Sequence, residues 1–161
     1  MTKAKERGHF MKDMIKLLDK KLKYEKHEIN SEEIRIWVKS RQKVLTCPHC
    51  GRKSRKAHSN YRRTIQDLPI SGKKVYIEIT SRKMFCPNAK CSRKTFAEKY
   101  AFVGSKGKKS LRLEKEIINI ARSSSSTEAS RMLNRSTVKI SSGTVRNLLK
   151  KVESPQSGEN Q

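Results

Sequence analysis

The sequence predicts an α+β chain: a small β module pinned by four cysteines, followed by a helical unit and preceded by an N-terminal amphipathic helix. Three observations carry this reading. The four cysteines, all that the chain has, fall in two close pairs, Cys47-Pro48-His49-Cys50-Gly51 and Cys86-Pro87-Asn88-Ala89-Lys90-Cys91. Short runs in which apolar residues alternate with polar ones lie beside both pairs, the pattern of half-buried strands. Beyond residue 110 the apolar spacing changes to three and four, the period of a helix.

The elements follow in order. Met11, Ile15, Leu18 and Leu22 recur at helical spacing with Met14 and Leu17 beside them, which predicts a helix over 10–23 in an N-terminal segment, 1–30. That stripe serves for packing within the chain or for pairing with another chain. Ile34, Ile36 and Val38 alternate with Arg35, Trp37 and Lys39 and predict a strand running into the first cysteine pair. Asp67-Leu68-Pro69-Ile70-Ser71-Gly72 reads as a turn cluster, and Val75, Ile77 and Ile79 alternate in the strand after it. Lys94-Thr95-Phe96 predicts a last short strand. Strand, knuckle, strand, knuckle, strand is the layout of a zinc ribbon, here over 31–103.

Gly104-Ser105-Lys106-Gly107-Lys108-Lys109-Ser110 reads as a flexible basic linker, 104–110. A helical domain, 111–153, comes next. Leu113, Ile117, Ile120 and Ala121 mark its first helix. Ser125 with Glu128 three residues on resembles a capping box for a second, over 127–133, with Ala129, Met132 and Leu133 inward. The third starts after Ser141-Ser142, with Val145, Leu148, Leu149 and Val152 as its buried stripe. The polar tail, 154–161, reads as disordered.

Composition limits the partner more than the fold. The chain has 161 residues, with 39 Lys and Arg against 15 Asp and Glu, a formal charge of +24. Only 34% of residues are apolar and 6% aromatic, too lean for one large core, so a bound metal is an expected staple. Between residues 41 and 110 there are 19 Lys and Arg and only 3 acidic residues. Such a surplus attracts polyanions, nucleic acid first and a membrane surface second; a merely solvated lysine-rich surface is the plain alternative. No run approaches the ~18 apolar residues of a membrane span, and the N-terminus has no signal-peptide pattern. A cytoplasmic chain with reduced thiols is therefore expected, which favours metal over disulfides.

Each cysteine pair can grip one metal ion from a tight turn, and two turns together make the closed tetrahedral shell of structural zinc. An iron–sulfur cluster is the less common occupant. His49 or His58 could replace one sulfur; His9 and His27 read as surface residues. Cys47-Pro48-His49-Cys50 also matches a dithiol exchange motif. Yet Gly51-Arg52-Lys53-Ser54 follows where an apolar helix is needed, and the second pair goes unexplained. Catalytic zinc needs an open coordination position, which four cysteines close.

In the helical domain, helix, turn and a second helix with a polar outer face predict a helix-turn-helix, whose second helix enters the major groove. Its outer residues are Thr144, Arg146, Asn147, Lys150 and Lys151. Arg146 suits guanine and Asn147 adenine, while Ser141, Ser142 and Thr144 suit phosphate. The connection 134–141 is longer than the usual turn, and plain three-helix packing is the alternative.

Taken together, Cys47-Pro48-His49-Cys50-Gly51, Arg62-Arg63-Thr64-Ile65-Gln66-Asp67-Leu68-Pro69-Ile70-Ser71-Gly72-Lys73, Arg82-Lys83-Met84-Phe85-Cys86-Pro87-Asn88 and Cys91-Ser92-Arg93-Lys94-Thr95-Phe96 resemble the N-terminal zinc-binding domain of ISL-three insertion-sequence transposases. The resemblance covers roughly 34–151, since those enzymes carry a helix-turn-helix after the ribbon. It implies that Cys47, Cys50, Cys86 and Cys91 ligate zinc and that both modules bind double-stranded DNA at terminal inverted repeats. It also implies a bacterial, nucleoid-associated protein.

Those transposases continue into a large acidic catalytic domain, and Glu114, Glu116, Glu128, Glu153 and Glu159 lie on short helices or the tail. A truncated, non-cutting DNA-binding fragment, not an enzyme, is therefore expected. Arg52, Lys53, Arg55, Lys56, Arg62, Arg63, Lys106, Lys108 and Lys109 are its expected phosphate contacts, with Ser142, Thr144, Arg146, Asn147, Lys150 and Lys151 on the reading helix. Protein partners implied are a second copy or full-length transposase, which the fragment could poison. A zinc ribbon that binds RNA or the ribosome is the competing reading.

Overall fold

The computed structural model describes residues 3–135 and 138–153. It is a mixed α+β structure in which one long hairpin is shared by two small cores, with a third core in the helices after it. Helix α1 (Lys3–Leu18) leads into strands β1 (Leu22–Ile29) and β2 (Glu33–Ser40). Two short strands, β3 (Leu45–Thr46) and β4 (Lys53–Ser54), frame the first knuckle. The hairpin β5 (Ala57–Ile70) and β6 (Lys73–Phe85) follows, then β7 (Thr95–Ala97). Helices α2 (Leu111–Arg122), α3 (Ser126–Arg135) and α4 (Ser142–Glu153) complete the chain. The tail expected to be disordered lies outside the described residues. No described helix is long and apolar enough to cross a membrane.

The main sheet has the order β1-β2-β6-β5. β2 runs parallel to β6, the other neighbours run antiparallel, and β7 joins the far end of β6. One face buries Ile34, Ile36, Val38, Ile65, Val75, Ile77 and Ile79 against Ile15, Tyr100, Phe102 and Val103. Past Ser81 the hairpin changes its buried side: Met84 packs instead with Leu45, Cys47, Cys91 and Phe96 around the knuckles. The strand alternation makes this possible, since Ile79 and Met84 differ by an odd number of residues and so point to opposite faces.

The N-terminal helix and the turn cluster both differ from expectation. The helix expected over 10–23 ends at Leu18, and Leu22 begins a strand. Asp19 breaks the helix: its carboxylate accepts the backbone N–H of Lys21 at 2.8 Å and of Ala101 at 2.9 Å. β1 escaped notice because its charged residues hide any alternation, and β2 beside it supplies the order. The cluster 67–72 is mostly strand, and the turn is only Ser71-Gly72, with φ of 49° and 72°, a two-residue hairpin loop. Pro69 is tolerated because β5 is an edge strand.

The segment 104–110, expected as a flexible linker, is strapped to β5. Gln66 N–H donates to Lys108 O at 2.9 Å and Ser110 N–H to Gln66 O at 2.9 Å. The Arg63 guanidinium donates to Gly104 O at 3.1 Å and Gly107 O at 2.8 Å. Gly107 lies so close to Val103 that a Cβ there would meet its Cγ2 at 3.0 Å.

The helices enclose a core of Leu113, Ile117, Ala121, Ala129, Leu133, Val138, Ile140 and Val145, with Leu68 of β5 packed against it. Ser125 caps α3, its Oγ accepting the Glu128 N–H at 3.2 Å, as the Ser125–Glu128 spacing predicts. Met132 and Val152, expected inward, are about half exposed.

Candidate metal centre and nucleic-acid interface

Each knuckle is a backbone turn that presents two sulfurs. In the first, Cys47 N–H donates to Arg52 O and Gly51 N–H to Cys47 O, both at 2.9 Å. Gly51 supplies the φ of 71° that a β-carbon disfavours. In the second, Cys86 N–H donates to Lys94 O at 2.8 Å and Cys91 N–H to Asn88 O at 3.0 Å. The Arg93 N–H points at the Cys91 sulfur, 3.5 Å away.

The four Sγ atoms of Cys47, Cys50, Cys86 and Cys91 lie within 4.8 Å of one another, with Cys50 and Cys86 3.4 Å apart. A zinc–sulfur bond of about 2.3 Å requires sulfur–sulfur edges of about 3.8 Å in a tetrahedron. The cluster is therefore of the right size and chemistry for one ion. Neither His49, which is exposed, nor His58, which packs on Phe85 and Ser59, joins it.

Without a cation the sulfurs titrate far apart. A backbone hydrogen bond at Arg52 lowers the Cys50 thiol to about 7, while burial pushes Cys86 up to about 12. A divalent ion removes the conflict by stabilising every thiolate at once.

Around this centre the negative charge is tied down. Asp67, Glu78 and Glu98 are the acidic residues between 41 and 110, and an arginine holds each one. Glu78 accepts from Arg35 Nη1 at 2.6 Å and from Thr64 Oγ1 at 2.8 Å. Glu98, its side chain 0% exposed, accepts Arg82 Nε and Nη2 at 2.9 Å each. Asp67 accepts from Ser110 Oγ at 2.5 Å and from Arg112 Nε at 2.8 Å, and its other oxygen meets Arg112 Nη2.

The cations expected to contact phosphate divide into two sets. Arg52, Lys53, Arg55, Lys56, Arg62, Lys106 and Lys108 are exposed. Arg52 and Lys53 line a cleft of ≈ 680 Å³ with Gly51, Pro87, Asn88 and Ala89 between the knuckles. Arg63 turns inward to the 104–107 carbonyls, and Lys109 is half-buried, with its pKa lowered by that burial. On α4, Arg146, Asn147, Lys150 and Lys151 are exposed, while Ser142 and Thr144 are half-buried. Ser141 caps the helix, its Oγ accepting the Thr144 N–H at 3.2 Å.

Sequence reasoning missed the Asp67–Ser110–Arg112 and Arg82–Glu98 groups. Their signal was present: a lone acid in a basic stretch needs a partner, and Ser110 stands where a helix cap belongs.

Residues 43–91 match the family described as the zinc-finger of transposase IS204/IS1001/IS1096/IS1165. That segment resembles the zinc ribbon of the ISL-three transposases. Zinc is thus the metal that Cys47, Cys50, Cys86 and Cys91 fit, on both family and geometry. The chain is also similar to the "Transposase for insertion sequence element IS1001" of Bordetella parapertussis, 33% identical over 51 residues. That alignment covers 32% of this chain and 13% of the relative. The helices at 111–153 lie outside the segment that the family model matches. No solved structure matches the chain.

Proposed function

We propose that this ISL-three zinc ribbon and the helices behind it form a zinc-dependent unit for binding double-stranded DNA, directed at the terminal inverted repeats of an insertion sequence. The observation that carries the reading is the neutralisation of Asp67, Glu78 and Glu98 by Arg112, Arg35 and Arg82. It leaves the exposed cations of 52–62 with no competing carboxylate within 41–110, and an unscreened basic surface is what phosphate binding requires.

The helices extend this reading as a helix-turn-helix, α3 and α4 being its two helices. Asn134 shapes the connection between them: its Nδ2 donates to Ile140 O at 2.6 Å and its Oδ1 accepts the Ile140 N–H at 3.2 Å. That bracing makes a longer connection compatible with a fixed angle between α3 and α4. Arg146 and Asn147 face outward to read bases, and Lys150 and Lys151 to hold phosphates.

Strand cutting is not part of the proposal. Glu114 and Glu116 on α2, Glu128 on α3 and Glu153 on α4 are dispersed over separate helices. The test is selection of zinc-loaded protein on a random duplex pool at physiological salt. An enriched motif that vanishes when the α4 residues are altered supports sequence-specific binding; tight retention without enrichment refutes base reading by α4.

A further inference from the structure

The distal arm of the β5–β6 hairpin carries a second surface, distinct in chemistry from the phosphate contacts. On β6 the residues 75, 77, 79 and 81 face the sheet core and are buried. The same face continues through Lys83 and Phe85, and both are exposed. Register places Tyr61 opposite Ser81 and Ser59 opposite Lys83, and directly opposed residues share a face. This face of the arm therefore presents Tyr61, 38% exposed, then Ser59 with Lys83, then Phe85, 37% exposed.

Four residues of strand separate the Tyr61 rung from Phe85, about 13 Å. The His58 ring stands edge-on to Phe85 with centroids 4.8 Å apart, and Lys56 Nζ lies 5.4 Å from the Phe85 centroid. No acidic residue occurs in 57–62, 80–85 or 95–97.

Exposed rings interleaved with cations on a narrow ribbon suit one occupant in particular. Duplex DNA offers phosphates but hides the faces of its bases; a single strand offers both. Bases stack on aromatic side chains with little regard to sequence while cations track the backbone. An acidic peptide would satisfy the cations and leave Tyr61 and Phe85 without a role.

We propose that this face binds unpaired nucleobases of single-stranded DNA, with Phe85 and Tyr61 as stacking rings and Lys83 and Lys56 on the flanking phosphates. It goes beyond duplex binding, because the rings have no part in a phosphate-only contact.

The experiment measures fluorescence anisotropy of a labelled oligothymidine, and of a duplex of equal length, with the zinc-loaded full chain. Phe85→Ala and Tyr61→Ala are each expected to weaken the single strand about five-fold or more while changing the duplex by less than about two-fold. Phe85→Trp keeps single-strand binding, and its added fluorescence is quenched by the strand. Because Phe85 precedes a zinc ligand, metal content is measured for every variant, and the tryptophan variant reports stacking without removing the ring.

Unchanged single-strand affinity in both alanine variants, equal losses on strand and duplex, or an unquenched tryptophan overturns the proposal. So does displacement of the strand by oligoglutamate at equal charge. If the native chain binds duplex but not oligothymidine, this inference fails and duplex binding stands; if it binds oligothymidine alone, the reverse holds.

Discussion

Asp67 is the residue on which two parts of the molecule meet. Its side chain is 2% exposed, and it is bound by Ser110, the N-cap of α2, and by Arg112 in the first turn. The neighbouring Leu68 enters the helical core. The resemblance at Asp67-Leu68-Pro69 thus has a physical basis: a lone acid in a basic stretch signals that a partner exists, and only the fold shows that it is Arg112, 45 residues away. Removing one partner of such a pair leaves a buried charge unmatched, at a cost of about 3–5 kcal/mol. Arg112→Ala strands the buried Asp67 carboxylate and is expected to lower stability by that order in urea unfolding; a loss within experimental scatter would show that the helices dock without the pair. Arg146 belongs to a different account. Arg146→Ala is expected to cost ~1–3 kcal/mol of duplex affinity and to relax preference at one base pair. Equal loss on all sequences would make Arg146 a phosphate contact.

At the scale of elements, the knuckles were the most legible part, since two cysteine pairs leave few alternatives to a metal shell. β1 was the least legible: its order comes from β2, and no local pattern announces it. The hairpin was legible in part, as alternation marked 75–80 but not the change of face that lets β6 serve both the sheet core and the zinc core. That change makes metal removal informative. Binding energy in such a shell is folding energy, so chelation is expected to unfold the knuckles with β3, β4 and β7. The main sheet, whose core contains no cysteine, persists. Hydrogen exchange resolves the two; uniform loss of protection would mean a single cooperative unit. Zinc binding also displaces protons, from Cys50 near 7 and from Cys86 near 12 in the metal-free shell. Affinity therefore rises with pH and falls as acid restores the thiols, most visibly below about 7. A metallochromic dye competing for zinc across this range measures the slope, and a flat profile would mean ligands other than thiolates.

For the whole molecule the deciding quantity is how much of the +24 charge is free to meet phosphate. Arg35, Arg82 and Arg112 are committed to carboxylates, Arg63 to backbone carbonyls, and Lys109 is half-buried. Total charge therefore overstates the interface. Counting only the exposed Arg52, Lys53, Arg55, Lys56, Arg62, Lys106, Lys108, Lys150 and Lys151, each neutralising one phosphate, gives a slope of log affinity against log salt of about −8. Charge-neutral substitution of Lys53 and Lys56 together should make it shallower by about 2 and weaken all duplexes alike. Arg63→Gln should leave the slope unchanged while loosening the strap that holds 104–107 to β5. A slope near zero for the native chain would remove the electrostatic account of binding. A slope that responds to Arg63 as strongly as to Lys53 would mean that the strap opens on DNA and frees that guanidinium for phosphate.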